Sequence, residues 1–189
     1  MSRSLSVRLA AVVALISSSV VVGSAQTPAP APPKMDTLAG GVTSLYRAIR
    51  ANLIEAAELM PEADYAFAPS PDVRSFGQLV GHVANTQYNF CTPARGLANP
   101  NRANLETLKT KTELVAALRT SLEFCDPVYH ALTDADMTAP ATWGTMTITK
   151  GYALTYNVAH DNEHYGNMVT YLRLKGLVPP STARAIKRD

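Results

Sequence analysis

The sequence predicts an all-α fold, an antiparallel four-helix bundle with long loops. Three observations carry the prediction. Apolar residues recur at steps of three and four along four separate stretches, the period of one helix face. No stretch sustains the two-residue alternation of a half-buried strand. Composition agrees: of 189 residues 47% are apolar, 17% charged and 7% aromatic. That is apolar enough for one packed core and too weakly charged for a disordered chain.

The first element is a processing signal. Arg3 and Arg8 make a basic start, Leu9 to Val22 is uncharged and mostly apolar, and Gly23-Ser24-Ala25 supplies small residues. This is the pattern of a secretory signal peptide over residues 1–25, and the apolar run is shorter than the ~20 residues a spanning helix needs. Cleavage after Ala25 leaves no integral membrane span and predicts an exported chain, periplasmic or secreted. It also removes two arginines and no acids, so a formal charge of +2 falls to zero. A neutral chain has no global pull on nucleic acid or anionic lipid. Residues 26–34 hold four prolines, the composition of an extended linker. The folded domain is expected over residues 35–189.

Its helices follow in order. Leu38 to Met60 places Leu38, Val42, Leu45, Ile49, Leu53, Ala56 and Met60 on one face, and Pro61 ends it. Ser75 to Cys91 carries Phe76, Leu79, Val80, Val83, Gln87 and Phe90 on or near one face before Pro93, Gly96 and Pro100 break the pattern. Lys111 to Leu132 repeats Leu114, Val115, Leu118, Leu122, Cys125 and Tyr129, with Pro127 expected to kink or shorten it. Residues 133–148 form a loop. Thr149 to Lys175 is closed by Gly176 and Pro179-Pro180.

Of four histidines, His160 and His164 lie four apart on the last helix, so their rings project from one face, a turn apart. His82 sits mid-helix on the second, in a stripe with Leu79, Val83 and Phe90. Facing the pair, it would complete a three-nitrogen site with one coordination position left for water or substrate. A hydrogen-bonded core histidine is the plainer alternative. The zinc-peptidase motif is not matched, because Asp161 stands where that motif has glutamate.

The stretches SFGQLVGHVANTQYNF and NVAHDNEHYGNMVTYLRLKGLVPP resemble the DinB-like family of four-helix metal-binding proteins. The resemblance covers Met35 to about Arg184. It implies a divalent transition metal held by His82, His160 and His164, with Zn²⁺ first and Ni²⁺ or Fe²⁺ as alternatives. Family members of known activity include thiol-dependent transferases and isomerases, so the resemblance implies a metalloenzyme, hydrolase or thiol-transferase-like, acting on a small molecule. Export argues against the use of cytosolic thiols. A non-catalytic metal- or ligand-binding bundle of the cell envelope is the alternative, and a homodimer is the assembly to test.

Other residues have simpler expectations. His130 matches no family ligand and reads as a surface or capping residue. Tyr152 and Tyr156 extend the face of His160; Tyr156 is a pocket candidate and Tyr152 is expected to pack the core. Asp161 and Glu163 are expected to be solvated charges rather than acceptors that orient an imidazole. Cys91 and Cys125 lie on apolar faces, and in an exported protein a lone pair points to one bridge. Two buried thiols, or a cysteine added to the metal, are the alternatives.

Overall fold

The computed structural model describes residues 35–187; the signal and linker expected over 1–34 lie outside the described residues. Four long helices form the body: α1 (Leu38–Leu59), α2 (Phe76–Arg95), α3 (Lys111–His130) and, after a short α4 (Asp134–Thr138) and a hairpin, α5 (Lys150–Leu174). A short α6 (Pro180–Ile186) follows. Each long helix starts at a hydroxyl cap. The side chains of Thr37, Ser75, Thr110 and Thr149 accept from backbone N–H groups of the first turn, and Ser75 with Gln78 and Thr110 with Glu113 close reciprocal boxes. Gly96 and Gly176 take positive φ (63° and 72°) where α2 and α5 stop.

Side-chain pairs fix the helix directions. Thr43 donates to the Tyr129 carbonyl and Arg50 pairs with Asp126, so α1 and α3 run oppositely. Cys91 is joined to Cys125 and Gly77 lies beside Leu114, so α2 and α3 run the same way. His82 meets His160 and His164 while Phe90 meets Tyr156, so α5 runs against α2. Two parallel neighbours need a long return. Residues 96–110 supply it and travel back along α2, where Asn85 bonds Asn104 and the Leu105 amide.

The core lies between the four helices, around Ile49, Leu53, Phe76, Val83, Leu118, Leu122, Leu154 and Met168. The rings of Tyr46 and Tyr129 stack at 3.6 Å in the interior. On α5 the buried stripe runs Leu154, Asn157, Val158, Asp161, His164, Tyr165, Met168. It therefore brings three polar residues inward among apolar ones.

Three boundaries differ from expectation. Helix α2 runs past Cys91 to Arg95 with Pro93 in its last turn. Proline there removes a single backbone bond, and Pro93 and Ala94 are both buried, so packing holds the turn. Helix α3 carries Pro127 and continues to His130. The loop expected over 133–148 contains α4 and a two-stranded antiparallel hairpin, β1 (Pro140–Trp143) and β2 (Met146–Thr149), with Trp143 opposite Met146. Strands of four residues are too short for alternation to register. Gly144, at φ 60°, makes the tight turn.

Candidate metal centre

His82 comes from the middle of α2 and His160 and His164 from the middle of α5. Their ring nitrogens converge. Nε2 of His160 lies 3.3 Å from Nε2 of His82 and 3.0 Å from Nε2 of His164. Among the described residues these three form the group of His, Cys, Asp or Glu side chains whose ligand atoms come together, all within 4.8 Å of one another. Tetrahedral nitrogens each ~2.0–2.1 Å from one ion stand about 3.3–3.4 Å apart, so the trio fits a divalent transition ion with little movement.

The outward nitrogens have their own partners. Nδ1 of His82 is 2.8 Å from Oε1 of Glu106, so its N–H donates to the carboxylate and Nε2 keeps its lone pair for the cluster. Oγ1 of Thr86 donates to the Val83 carbonyl and lies 3.5 Å from Nδ1 of His160. The Asn167 amide is 3.5 Å from Nδ1 of His164. Glu106 is held in turn by Arg74, whose Nε donates to Oε2 at 2.9 Å. Partial burial opposes the Glu106 charge, but the bonds from Arg74 and His82 keep its carboxyl below the usual carboxylate range. Burial, followed by its two histidine neighbours, pushes His160 down to about 4. Burial and His82 also lower His164. At neutral pH the two α5 rings are therefore uncharged donors.

Beneath the histidines lies a buried polar layer. Oδ1 of Asp161 accepts from Gln87 at 2.6 Å, while Oε1 of Gln87 accepts from Asn157, which also reaches the Tyr129 hydroxyl. Asp161 was expected to be solvated. Instead it is fully buried, because its position on α5 falls on the inward stripe between Asn157 and His164. Burial pushes its carboxyl well above the usual range, and the Gln87 bond only partly offsets this. Glu163, one step off the stripe, is exposed.

Tyr152 is also a correction: it is 50% exposed rather than packed in the core, since the stripe passes through Ala153 and Leu154. Tyr156 is 44% exposed and stands one ring away from the histidines. Its ring contacts Phe90, and Phe90 lies edge-on to His160 at 5.1 Å. The hairpin adds Trp143 to the same aromatic group. His130 is exposed in the last turn of α3. Cys91 and Cys125 are both fully buried and bonded to each other, with no part in the histidine cluster.

A cavity of about 700 Å³ opens beside His164, lined among others by Arg74, Glu163, Asn167 and Tyr171. A second, of about 470 Å³, reaches His82 and Glu106 from the asparagine-rich return segment. Reasoning from sequence missed Glu106 and Arg74. Neither stands at a recurring spacing from a histidine, and only the return path of residues 96–110 brings Glu106 to His82. No helix among the described residues is long and apolar enough to cross a membrane.

Comparison with known proteins supplies the family. No curated protein matches the chain. Among solved structures, a DinB-like protein from Bacillus cereus superposes with a TM-score of 0.64 at 14% identity, covering 74% of this chain and 94% of that one. A DinB-like protein from Bacillus subtilis gives 0.58 at 20% identity, covering 72% and 92%. A conserved protein from Enterococcus faecalis gives 0.59 at 14%, covering 73% and 96%. At these identities the likeness concerns the fold. Residues 45–168 match the model of the DinB superfamily, and the chain belongs to that superfamily.

Proposed function

We propose that the protein is an exported metal-dependent enzyme, hydrolase or thiol-transferase-like, that acts on a small molecule at His82, His160 and His164. One observation carries the reading: three imidazole nitrogens from two helices converge, that of His160 at 3.3 Å from His82 and 3.0 Å from His164, and all within 4.8 Å of one another. Such contacts between lone-pair donors suit a shared cation. The donor set favours Zn²⁺, with Ni²⁺ and Fe²⁺ as competitors for the same nitrogens. A divalent ion held there would supply Lewis-acid chemistry toward water, a carbonyl or a thiol.

The chain's own residues have separable tasks. Glu106 fixes the tautomer and orientation of His82, and Arg74 fixes Glu106. Thr86 and Asn167 sit against the outer nitrogens of His160 and His164. The cavity beside His164 offers room for a small molecule. Among the described residues no fourth His, Cys, Asp or Glu side chain joins the three, an arrangement that favours catalysis over a closed storage or structural site. Export is supported by the leader pattern and by the buried cysteine pair.

Metal analysis of the purified protein tests the site. The wild type and His130→Ala are expected to hold about one equivalent of a divalent transition ion. His82→Ala, His160→Ala and His164→Ala should each lose most of it under mild chelation. Equal retention by wild type and His164→Ala would overturn the assignment.

A further inference from the structure

Resting on the reading of the histidines as a metal centre, we propose that the site takes a carboxylate-bearing small molecule, with Arg74 as the residue that reads the carboxylate. Arg74 lines the 700 Å³ cavity together with His164. Its position is fixed from three sides. It immediately precedes the Ser75 cap of α2, its carbonyl accepts from the Tyr171 hydroxyl at 2.6 Å, and its Nε donates to Glu106 at 2.9 Å.

That last bond occupies Nε alone. Neither Nη has a protein acceptor among the described residues, and the side chain is 42% exposed. A guanidinium whose remaining donors are unpartnered, held by its backbone and one edge, is preorganised for a planar two-oxygen anion.

The charge around the cavity narrows the ligand. Arg74 is the cationic side chain among the lining residues, while Asp72 and Glu163 contribute exposed carboxylates. With Glu106 already on the guanidinium, three nearby carboxylates disfavour a multiply charged group such as a phosphate and leave the Nη edge for a single carboxylate. The ligand thus has two ends: a carboxylate for Arg74, and a donor or electrophilic group at the histidine cluster.

The test uses Co²⁺-loaded protein, whose visible absorption reports the metal site. Two probes of equal length are titrated, succinic acid monohydroxamate and its neutral amide counterpart, and binding is read from the change in the Co²⁺ bands. Wild type is expected to favour the carboxylate probe by roughly 10- to 100-fold, the range of one charge-assisted hydrogen-bonded contact. In Arg74→Gln the ratio of the two affinities should fall to near unity, whatever change the lost support of Glu106 brings to both probes alike. Arg74→Lys should keep part of the preference. Glu106→Gln keeps an oxygen that can accept from the Arg74 Nε and should still prefer the carboxylate probe, whatever its change in metal affinity, which separates reading the ligand from merely positioning Glu106.

Equal affinities in wild type, or a preference that survives in Arg74→Gln, would overturn the proposal and leave the metal centre standing. Absence of Co²⁺ bands in wild type would overturn the metal centre and this proposal with it.

Discussion

Gly81 is the residue on which the outer support of the site depends. A Cβ built there would lie 2.4 Å from the Leu105 carbonyl oxygen and 2.8 Å from the Glu106 Cα, both backbone atoms that cannot swing aside. Only glycine lets the return segment approach α2 closely enough for Glu106 to reach His82. Gly81→Ala is therefore expected to destabilise the fold by about 1–3 kcal/mol, as overpacking does. It should also weaken metal affinity by roughly 10- to 100-fold through the lost Glu106 contact. Thermal melts and chelator competition check the two effects. Gly166 is the control within α5: it is exposed, has nothing within 4 Å, and its replacement by alanine should stabilise by about 0.5–1 kcal/mol. At this scale the convergence of the histidines was legible, because a spacing of four on a helix puts two rings on one face and the apolar stripe of α2 turns His82 inward. Asp161 was not: charge argues for solvent, and only the packed stripe shows that its position is interior.

At the scale of elements, the Cys91–Cys125 bond ties α2 to α3, across a sequence separation of 34. These are the helices joined by the long return, so the bond limits the unfolded chain where the connection is loosest. Replacing both cysteines by alanine is expected to lower stability by about 3–4 kcal/mol, measured by denaturant unfolding of both forms. The short α4 is held differently. Hydrogen bonds from Thr133, then from Lys150, keep the Asp136 carboxyl below the usual range. A depressed carboxylate contributes stability above the unfolded pKa of ~3.9 and loses it as pH falls through the lower folded value. Asp136→Asn should flatten that acid limb in a series of melts between neutral and low pH. The four long helices were legible from caps and apolar steps. The hairpin was not, because four residues per strand carry too little pattern to outweigh the proline and glycine around them.

For the whole molecule, the path of residues 96–110 matters most. The sequence marks these residues as a break and leaves their course open, since asparagines, prolines and short turns fit many routes. In the structure they run back along α2, make α2 and α3 parallel, and set Glu106 against His82. The histidines themselves come from α2 and α5, which are separated by the return segment, α3, α4 and the hairpin. An ion held by all three would therefore join distant parts of the chain in the folded state and find no such site in the unfolded one. Binding only the native state stabilises it by mass action, about 2.7 kcal/mol when free metal stands at 100 times Kd. For a domain of this size that corresponds to a rise in Tm of roughly 5–10 °C. Differential scanning calorimetry with added Zn²⁺ should show the rise in wild type and its loss in His82→Ala. Because His82→Ala leaves the α5 pair intact, an equal rise in both would mean that the ion binds to α5 alone, without joining the two helices.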